Sequence, residues 1–444
     1  MKKILSLFIS ISLAVSILAP CASAKNTFRP TFDIHARSAI LYNVDTDTVV
    51  YDVDADKRMY PASLTKIMVA VLLVEKNQDL ENLTLTVSED VYYEYRYSEA
   101  VIAGFEAGQQ VNGYDLLAYT MVKSCADASA VIAEYVAGGE AAFIELMNKK
   151  AKEIGMTGTH FTNCHGLHDE NHYSTARDMC ILTKYAMQYS MITDVVKVAR
   201  YITKDGITLA ATNFLIDPNS SPDYYYKYAT GFKTGYTNEA GRCLASTATY
   251  EGMTYILILL GCPAQENSVE NRYEFIDSGE LYRWVFTSIS YRSVLPKNET
   301  VDSLKVNFSW DYDNVQVVAK NEVFSMMPNE ADDSTLSYEV EYDEEYKKNG
   351  IEAPLKKGKK VGVVKVKYAG EVIGTTDAVI AHSIEGSQLL KISSGVTDFL
   401  EENLKYIAFG ALILIVLLII FIALVVRLNS KKKKYGKVRN YKRF

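Results

Sequence analysis

Ser63 and Lys66 stand three residues apart in Pro61-Ala62-Ser63-Leu64-Thr65-Lys66, at the head of a run with Leu64, Ile67, Met68, Val71 and Leu72 apolar. That run reads as a helix, and residues three apart share one helical face. A serine hydroxyl is a poor nucleophile until a neighbour takes its proton, and a lysine can do so only when uncharged. Downstream, Phe232-Lys233-Thr234-Gly235-Tyr236 precedes a pair of strand-like runs. A Lys-Thr-Gly sequence on an edge strand presents a cation and a hydroxyl to a carboxylate, and the glycine lets a substrate backbone approach. Between the two lies Ser124-Cys125-Ala126-Asp127, whose serine is a candidate second hydroxyl for passing a proton to a leaving amine. Each motif alone has an ordinary reading: a helix cap with a solvent-facing lysine, a turn, and another cap. Their order, S-x-x-K, then S, then K-T-G, points to acyl transfer through a serine ester.

Two unequal blocks must position these residues. From about Phe28 to Ile289, strand-like runs flank helical stretches. A hairpin over 38–52 turns at Asp45-Thr46-Asp47, helical periodicity marks Leu64–Val74, Gly113–Val122, Ala126–Val136 and Ala141–Ile154, and strands return at Arg242–Tyr250 and Met253–Gly261. A sheet built from both ends of a block with helices between is an α/β arrangement. From about Glu299 to Ile384 the pattern turns short and alternating, over Val301–Phe308, Val315–Ala319, Leu336–Tyr342, Lys360–Tyr368 and Glu371–Ile380, which predicts a small all-β module.

The two ends carry addresses. Met1-Lys2-Lys3, an apolar stretch from Ile4 to about Leu18, and Ala22-Ser23-Ala24 describe a secretory signal peptide over 1–24. Pro20 before Cys21 fits a lipoprotein site poorly. Ser387–Lys405 reads as a stalk or surface helix. Tyr406–Val426 holds no charged residue and as a helix rises about 31 Å, enough to cross a bilayer core. The tail 427–444 has nine Lys and Arg and no acid, so it is expected in the cytoplasm with the body outside. Two of the 47 Lys and Arg lie in the leader and nine in the tail, leaving 36 against 54 Asp and Glu, a formal charge near −18 for the exported body. That balance argues against a nucleic-acid partner. The five cysteines left after Cys21 (Cys125, Cys164, Cys180, Cys243, Cys262) are too scattered for a disulfide framework, with at most one unassigned bridge.

With these motifs in an exported chain, the sequence resembles the low-molecular-mass penicillin-binding proteins, the serine-type D-alanyl-D-alanine carboxypeptidases. The resemblance runs from about Phe28 to the stalk. It includes Asn163-Cys164-His165-Gly166-Leu167-His168 with Asn171-His172-Tyr173-Ser174-Thr175-Ala176-Arg177-Asp178, the stretch Thr230–Gly241, and the glycine-containing runs Lys356–Gly362 and Gly370–Gly374. It implies an α/β serine-peptidase domain of the penicillin-binding/β-lactamase-like kind over 25–290, an all-β C-terminal domain over 296–386, a stalk at 387–405, and a transmembrane helix over 406–426 as a membrane anchor. It further implies that Ser63 is the nucleophile, Lys66 the base and Ser124 an aid to proton transfer. Lys233 and Thr234, with Gly235 and Tyr236, would bind substrate, and the backbone N–H groups of Ser63 and Tyr236 would form the oxyanion hole. The implied substrates are peptidoglycan stem peptides ending in D-Ala-D-Ala, the inhibitors β-lactams, and neither metal nor organic cofactor is called for.

One departure stands out: the family's second motif reads Ser-x-Asn, and Ala126 occupies the asparagine position. Losing an active-site amide costs on the order of 10²-fold by analogy with other lost donors. Asp127 does not replace it, because one helical step turns about 100°. The departure motivates an alternative, a weak or idle D-Ala-D-Ala-binding protein; an endopeptidase would use the same residues, and a β-lactamase is disfavoured because this sequence places no glutamate for fast deacylation. His160, His165, His168 and His172 crowd one loop without a standard metal spacing. Cys125 lacks a histidine base. The tyrosine clusters at 92–97 and 224–228 read as surface or groove. Arg272 is a further candidate for the carboxylate site.

Overall fold

The computed structural model describes residues 28–219, 221–264 and 271–436, with side chains to residue 430. The expected leader and the end of the basic tail lie outside the described residues. The chain divides into two compact units: one runs to Val294 and takes in Phe324–Ser337 and Val366–Gly374, and the other holds Leu295–Val323, Tyr338–Lys365 and the chain from Thr375.

In the first unit, β1 (Ser38–Asn43) and β2 (Thr48–Val53) form the expected hairpin. The Asn43 side chain accepts from Thr46 N–H at 2.8 Å and Asp47 takes a positive φ, which closes the turn. Three long strands follow near the end of the unit: β3 (Ala229–Thr237), β4 (Gly241–Tyr250) and β5 (Met253–Cys262). All five make one antiparallel sheet in the order β2-β1-β5-β4-β3. The sheet is covered on both faces, so its strands read as near-continuous apolar runs with two-residue alternation hidden inside them. Ile40, Tyr42, Ile256, Ile258 and Leu260 face one core, with helix α1 (Lys66–Lys76) at its centre. Ala39, Leu41, Tyr255, Leu257 and Leu259 face the other, with Phe275, Leu281, Tyr282 and Val285 of the late helix 273–288. This is the three-layer α/β arrangement. Helix α1 is buried from Lys66 through Val74, and a helix apolar on all sides belongs in the middle of a core.

Around that central helix pack α2 (Ala126–Ala137), α3 (Glu140–Glu153) and α4 (Ala176–Ala186). The single helix expected over Gly113–Val122 is two pieces, an α-helix Gly113–Ala118 and a π-helical turn Tyr119–Lys123. A widened turn adds a residue without changing the apolar composition, so periodicity does not reveal it.

A six-stranded sheet, ordered by residue range 336–342, 360–368, 371–380, 314–319, 300–307 and 351–352, realises the predicted all-β module. The expected stalk and span form one uninterrupted helix, α5 (Gln388–Gly436), long and apolar enough to cross a membrane. Cys125, Cys164, Cys243 and Cys262 are buried thiols outside any disulfide, and Cys180 is likewise buried.

Candidate active site

Ser63 sits on a short 3₁₀ turn, Ala62–Thr65, that feeds directly into α1. Lys66 opens the α-helix, so its side chain lies over the turn before it, where the serine is. Lys66 Nζ donates to Ser63 Oγ at 3.2 Å and also to the His165 carbonyl. Lys66 is only 2% exposed. Burial pulls its pKa from the usual 10.5 to about 8, against the opposing fields of Cys164, Cys125 and Asp127. A hydroxyl in contact with an amine held partly neutral is an arrangement through which a proton can leave the serine.

Two glycines let other segments reach this turn. A Cβ on Gly166 would fall 2.1 Å from the Ala62 carbonyl oxygen, and its φ of +82° is itself glycine-like. The loop 163–168 therefore seats directly on the turn. Asn163 Oδ1 accepts from Gly166 N–H at 2.6 Å and holds the loop in that shape. On the other side, a Cβ on Gly235 would lie 3.0 Å from Ser63 N, which puts β3 against the backbone of Ser63.

β3 is the edge strand, paired only with β4 among the described residues, through Lys233↔Ala245, Thr234↔Leu244 and Tyr236↔Arg242. Lys233 is buried and donates to its neighbour's carbonyl, Thr234 O, at 2.9 Å. Burial first, then the charge of Lys66, push its pKa well below the usual lysine value. An arriving carboxylate reverses that push. Thr234 Oγ1 lies 2.5 Å from Thr212 Oγ1, while Tyr236 is 47% exposed under the Arg242 guanidinium.

Ser124 closes the π-helical turn in a left-handed conformation, φ 71°, and is half-buried. It does not cap α2; Cys125 holds that position. Cys125 lies in the fields of both Lys66 and Lys233, which locates this turn near the two lysines. Burial, followed by Asp127, lifts its thiol to about 12, so it stays protonated. Ala126 is fully buried in the core, with no amide to offer. Asp127 turns away and accepts from Ala103 and Gly104 N–H, each at 2.9 Å. The His165 carbonyl accepts from the Lys66 amine and helps to fix its direction.

The four histidines of the 160–172 loop have separate partners. His160 bonds the Asn171 carbonyl at 2.7 Å, and His168 meets the Tyr60 ring edge-on at 4.6 Å. The half-buried His165 ring is pushed down to about 3 by desolvation and then by Lys66, and it stays neutral. His172 bonds Thr65 and Thr162. Arg272 is engaged by Glu274 at 2.6 Å and packs on Phe214 and Phe275. The tyrosine clusters pack among themselves: Arg96 lies over Tyr92, Tyr93 and Tyr97, and Tyr226 stacks on Tyr282. Sequence reasoning did not single out Gly166, Asn163, Thr65 or Asp127 as parts that shape the site.

This is the layout of an active-serine acyltransferase with a buried lysine, carried on an α/β sheet. The family model described as D-alanyl-D-alanine carboxypeptidase matches residues 23–264, and that described as penicillin-binding protein 5, C-terminal domain, matches 290–386. The chain is 31% identical over 385 residues to D-alanyl-D-alanine carboxypeptidase DacF of Bacillus subtilis, covering 84% of this chain and 92% of that one. It is 29% identical to DacC of Escherichia coli, covering 83% and 89%. Penicillin-binding protein 5 from Haemophilus influenzae shares the fold, with TM-score 0.59 at 24% identity over 81% of this chain and all of that one. Penicillin-binding protein D2 from Listeria monocytogenes, solved in an ampicillin-bound form, covers 58% of this chain and all of its own at TM-score 0.50 and 26% identity. The chain belongs to the D-alanyl-D-alanine carboxypeptidase family.

Proposed function

We propose that this chain is a membrane-anchored, serine-type D,D-carboxypeptidase that removes the terminal D-alanine from peptidoglycan stem peptides. The observation that carries the reading is the contact of a buried, pKa-lowered Lys66 with Ser63 Oγ at 3.2 Å. Ser63 Oγ attacks the carbonyl between the two D-alanines as Lys66 takes its proton. The Ser63 and Tyr236 N–H groups donate to the oxyanion. Collapse of the tetrahedral intermediate breaks the peptide bond, and Lys66, aided by Ser124, returns the proton to the departing amine. Water then attacks the Ser63 ester, and the shortened peptide leaves with a new carboxylate. Lys233 and Thr234 receive the substrate's terminal carboxylate, whose negative charge favours the protonated lysine against the push of burial. Gly235 keeps the edge strand close to Ser63.

The reading extends to the whole chain: a leader over 1–24, a catalytic domain over 25–290, a β-domain over 296–386, a stalk over 387–405, a span over 406–426 and a cytoplasmic basic tail from 427. The catalytic body then lies outside the plasma membrane. The excess of positive charge on the C-terminal flank of the span, nine Lys and Arg with no acid, supports that orientation. β-Lactams are expected to acylate the same serine, in keeping with the relative solved in an ampicillin-bound form.

The test is labelling of the purified chain with a fluorescent penicillin beside a Ser63→Ala variant, together with D-alanine release from a synthetic peptide ending in D-Ala-D-Ala. A band and D-alanine release that both vanish in the variant are the expected result. Labelling that persists in Ser63→Ala would move the nucleophile elsewhere, and a labelled protein releasing no D-alanine would leave a binding protein.

A further inference from the structure

Ala62, the residue just before Ser63, has φ +49°, a conformation that costs a non-glycine residue about 1–3 kcal/mol and persists only where its surroundings enforce it. Two contacts enforce it. Gly166 lies against the Ala62 carbonyl, and Thr65 Oγ1 donates to that carbonyl at 2.8 Å. A threonine hydroxyl has one proton, so the second bond of Thr65 Oγ1, at 2.7 Å to His172 Nε2, must be one that it accepts. His172 Nδ1 in turn accepts from Thr162 N–H at 3.1 Å, with the Thr162 hydroxyl 3.3 Å away. The ring is thereby assigned the neutral Nε2–H tautomer. It is 2% exposed, and burial lowers its pKa to about 4, against the field of Asp169 and with those of His160, Lys66 and His168. One directed chain thus runs from Thr162 N–H through His172 and Thr65 to the carbonyl adjoining Ser63.

We propose that His172 is a positioning residue for acyl transfer, donating from Nε2–H to Thr65 so that Thr65 holds the Ala62 carbonyl and with it the placement of Ser63 against Lys66. A histidine that merely filled the core would contribute volume to folding. This one contributes a proton direction to the turn that carries the nucleophile. The proposal rests on the acyl-transfer reading of Ser63 and names no new contact with substrate.

The test uses the full chain in detergent micelles and stopped-flow labelling by a fluorescent penicillin, which separates the encounter constant from the acylation rate. Gln places an N–H donor near the position of Nε2 and Asn is too short to do so. Losing one directing bond is expected to slow acylation about tenfold in His172→Asn with the encounter constant unchanged, since each 1.36 kcal/mol of barrier is a factor of ten. His172→Gln should recover to within about threefold of wild type on the same scale. Thr65→Val should show the same loss as His172→Asn, and the double variant no further loss, because the two act through one chain. Equal slowing by Gln and Asn, additive effects, or normal acylation in His172→Asn with only a lowered melting temperature would overturn the proposal. Should His172→Asn fail to fold, Thr65→Val alone decides, with wild-type acylation overturning it. Nitrogen NMR of histidine-labelled protein gives a check independent of penicillin: an Nδ1–H tautomer at His172 would sink the idea. Absence of labelling in the wild type would instead count against the parent reading, before any variant is compared.

Discussion

Lys66 carries two demands that oppose each other. As a buried cation it destabilises the fold; in the proposed role of base it needs to lose its proton near neutral pH, which the same burial favours. The folded-state pKa of about 8 lies below the usual 10.5, so between those values the unfolded chain binds more protons. Stability is therefore expected to rise with pH through that window, and the cost is present in full below about pH 8. Replacing Lys66 with Met keeps length and removes the charge. We expect Lys66→Met to lose acylation and to melt higher, by about 2–4 °C for each kcal/mol recovered, with the gap closing as pH rises towards 10. For the native lysine, about a tenth is neutral at pH 7 and about nine-tenths at pH 9, so acylation should rise about tenfold over that range. Thermal melts and labelling rates across pH 6–10 measure both; a flat rate profile would remove Lys66 from the role of base. Lys233, buried beside the same charge, is held down by the same physics.

At the scale of elements, the site is a turn clamped between a strand and a loop, and glycines set how close the clamp comes. The three motifs were legible because each is local: S-x-x-K spans one helical turn, and Lys-Thr-Gly lies within one strand. What joins them was not. That Gly166 lies under Ala62, and that Asp127 ties down the backbone at Ala103 and Gly104, depends on segments far apart in the chain, which no spacing rule relates. The π-helical turn before Ser124 escaped for a different reason, since it shifts the register of a helix whose apolar pattern looks regular. Gly166→Ala is the sharpest probe of the clamp. A methyl 2.1 Å from a backbone oxygen, on a residue at φ +82°, has no flexible neighbour to displace. We expect it to destabilise by about 3 kcal/mol and to slow acylation by more than Lys66-independent loss of stability explains. A variant that melts and acylates like wild type would mean that the loop does not bear on the turn.

For the molecule as a whole, the second compact unit includes a helix that continues unbroken into an apolar span. Sequence hydropathy marked the span, but not that the segment before it would share one helix with it, because polar residues such as Asp398 and Glu401 interrupt the composition without interrupting the backbone. Ending the chain at Ser387 removes α5 and the basic tail while leaving the residues before them in place. The shortened protein should leave the membrane fraction and still be labelled by penicillin; a truncated chain that stayed with membranes would place the anchor elsewhere. Another whole-molecule consequence concerns electrons. Cys125, Cys164, Cys243 and Cys262 are enclosed thiols, all pushed by burial towards the protonated form. Thiolate is the form that attacks disulfides and reacts with oxidants, and these sulfurs present little of it to solvent. A protein built this way draws no oxidising equivalents through those four sulfurs as it folds. Their part of its maturation proceeds alike under air and in strictly anaerobic growth, without a disulfide catalyst.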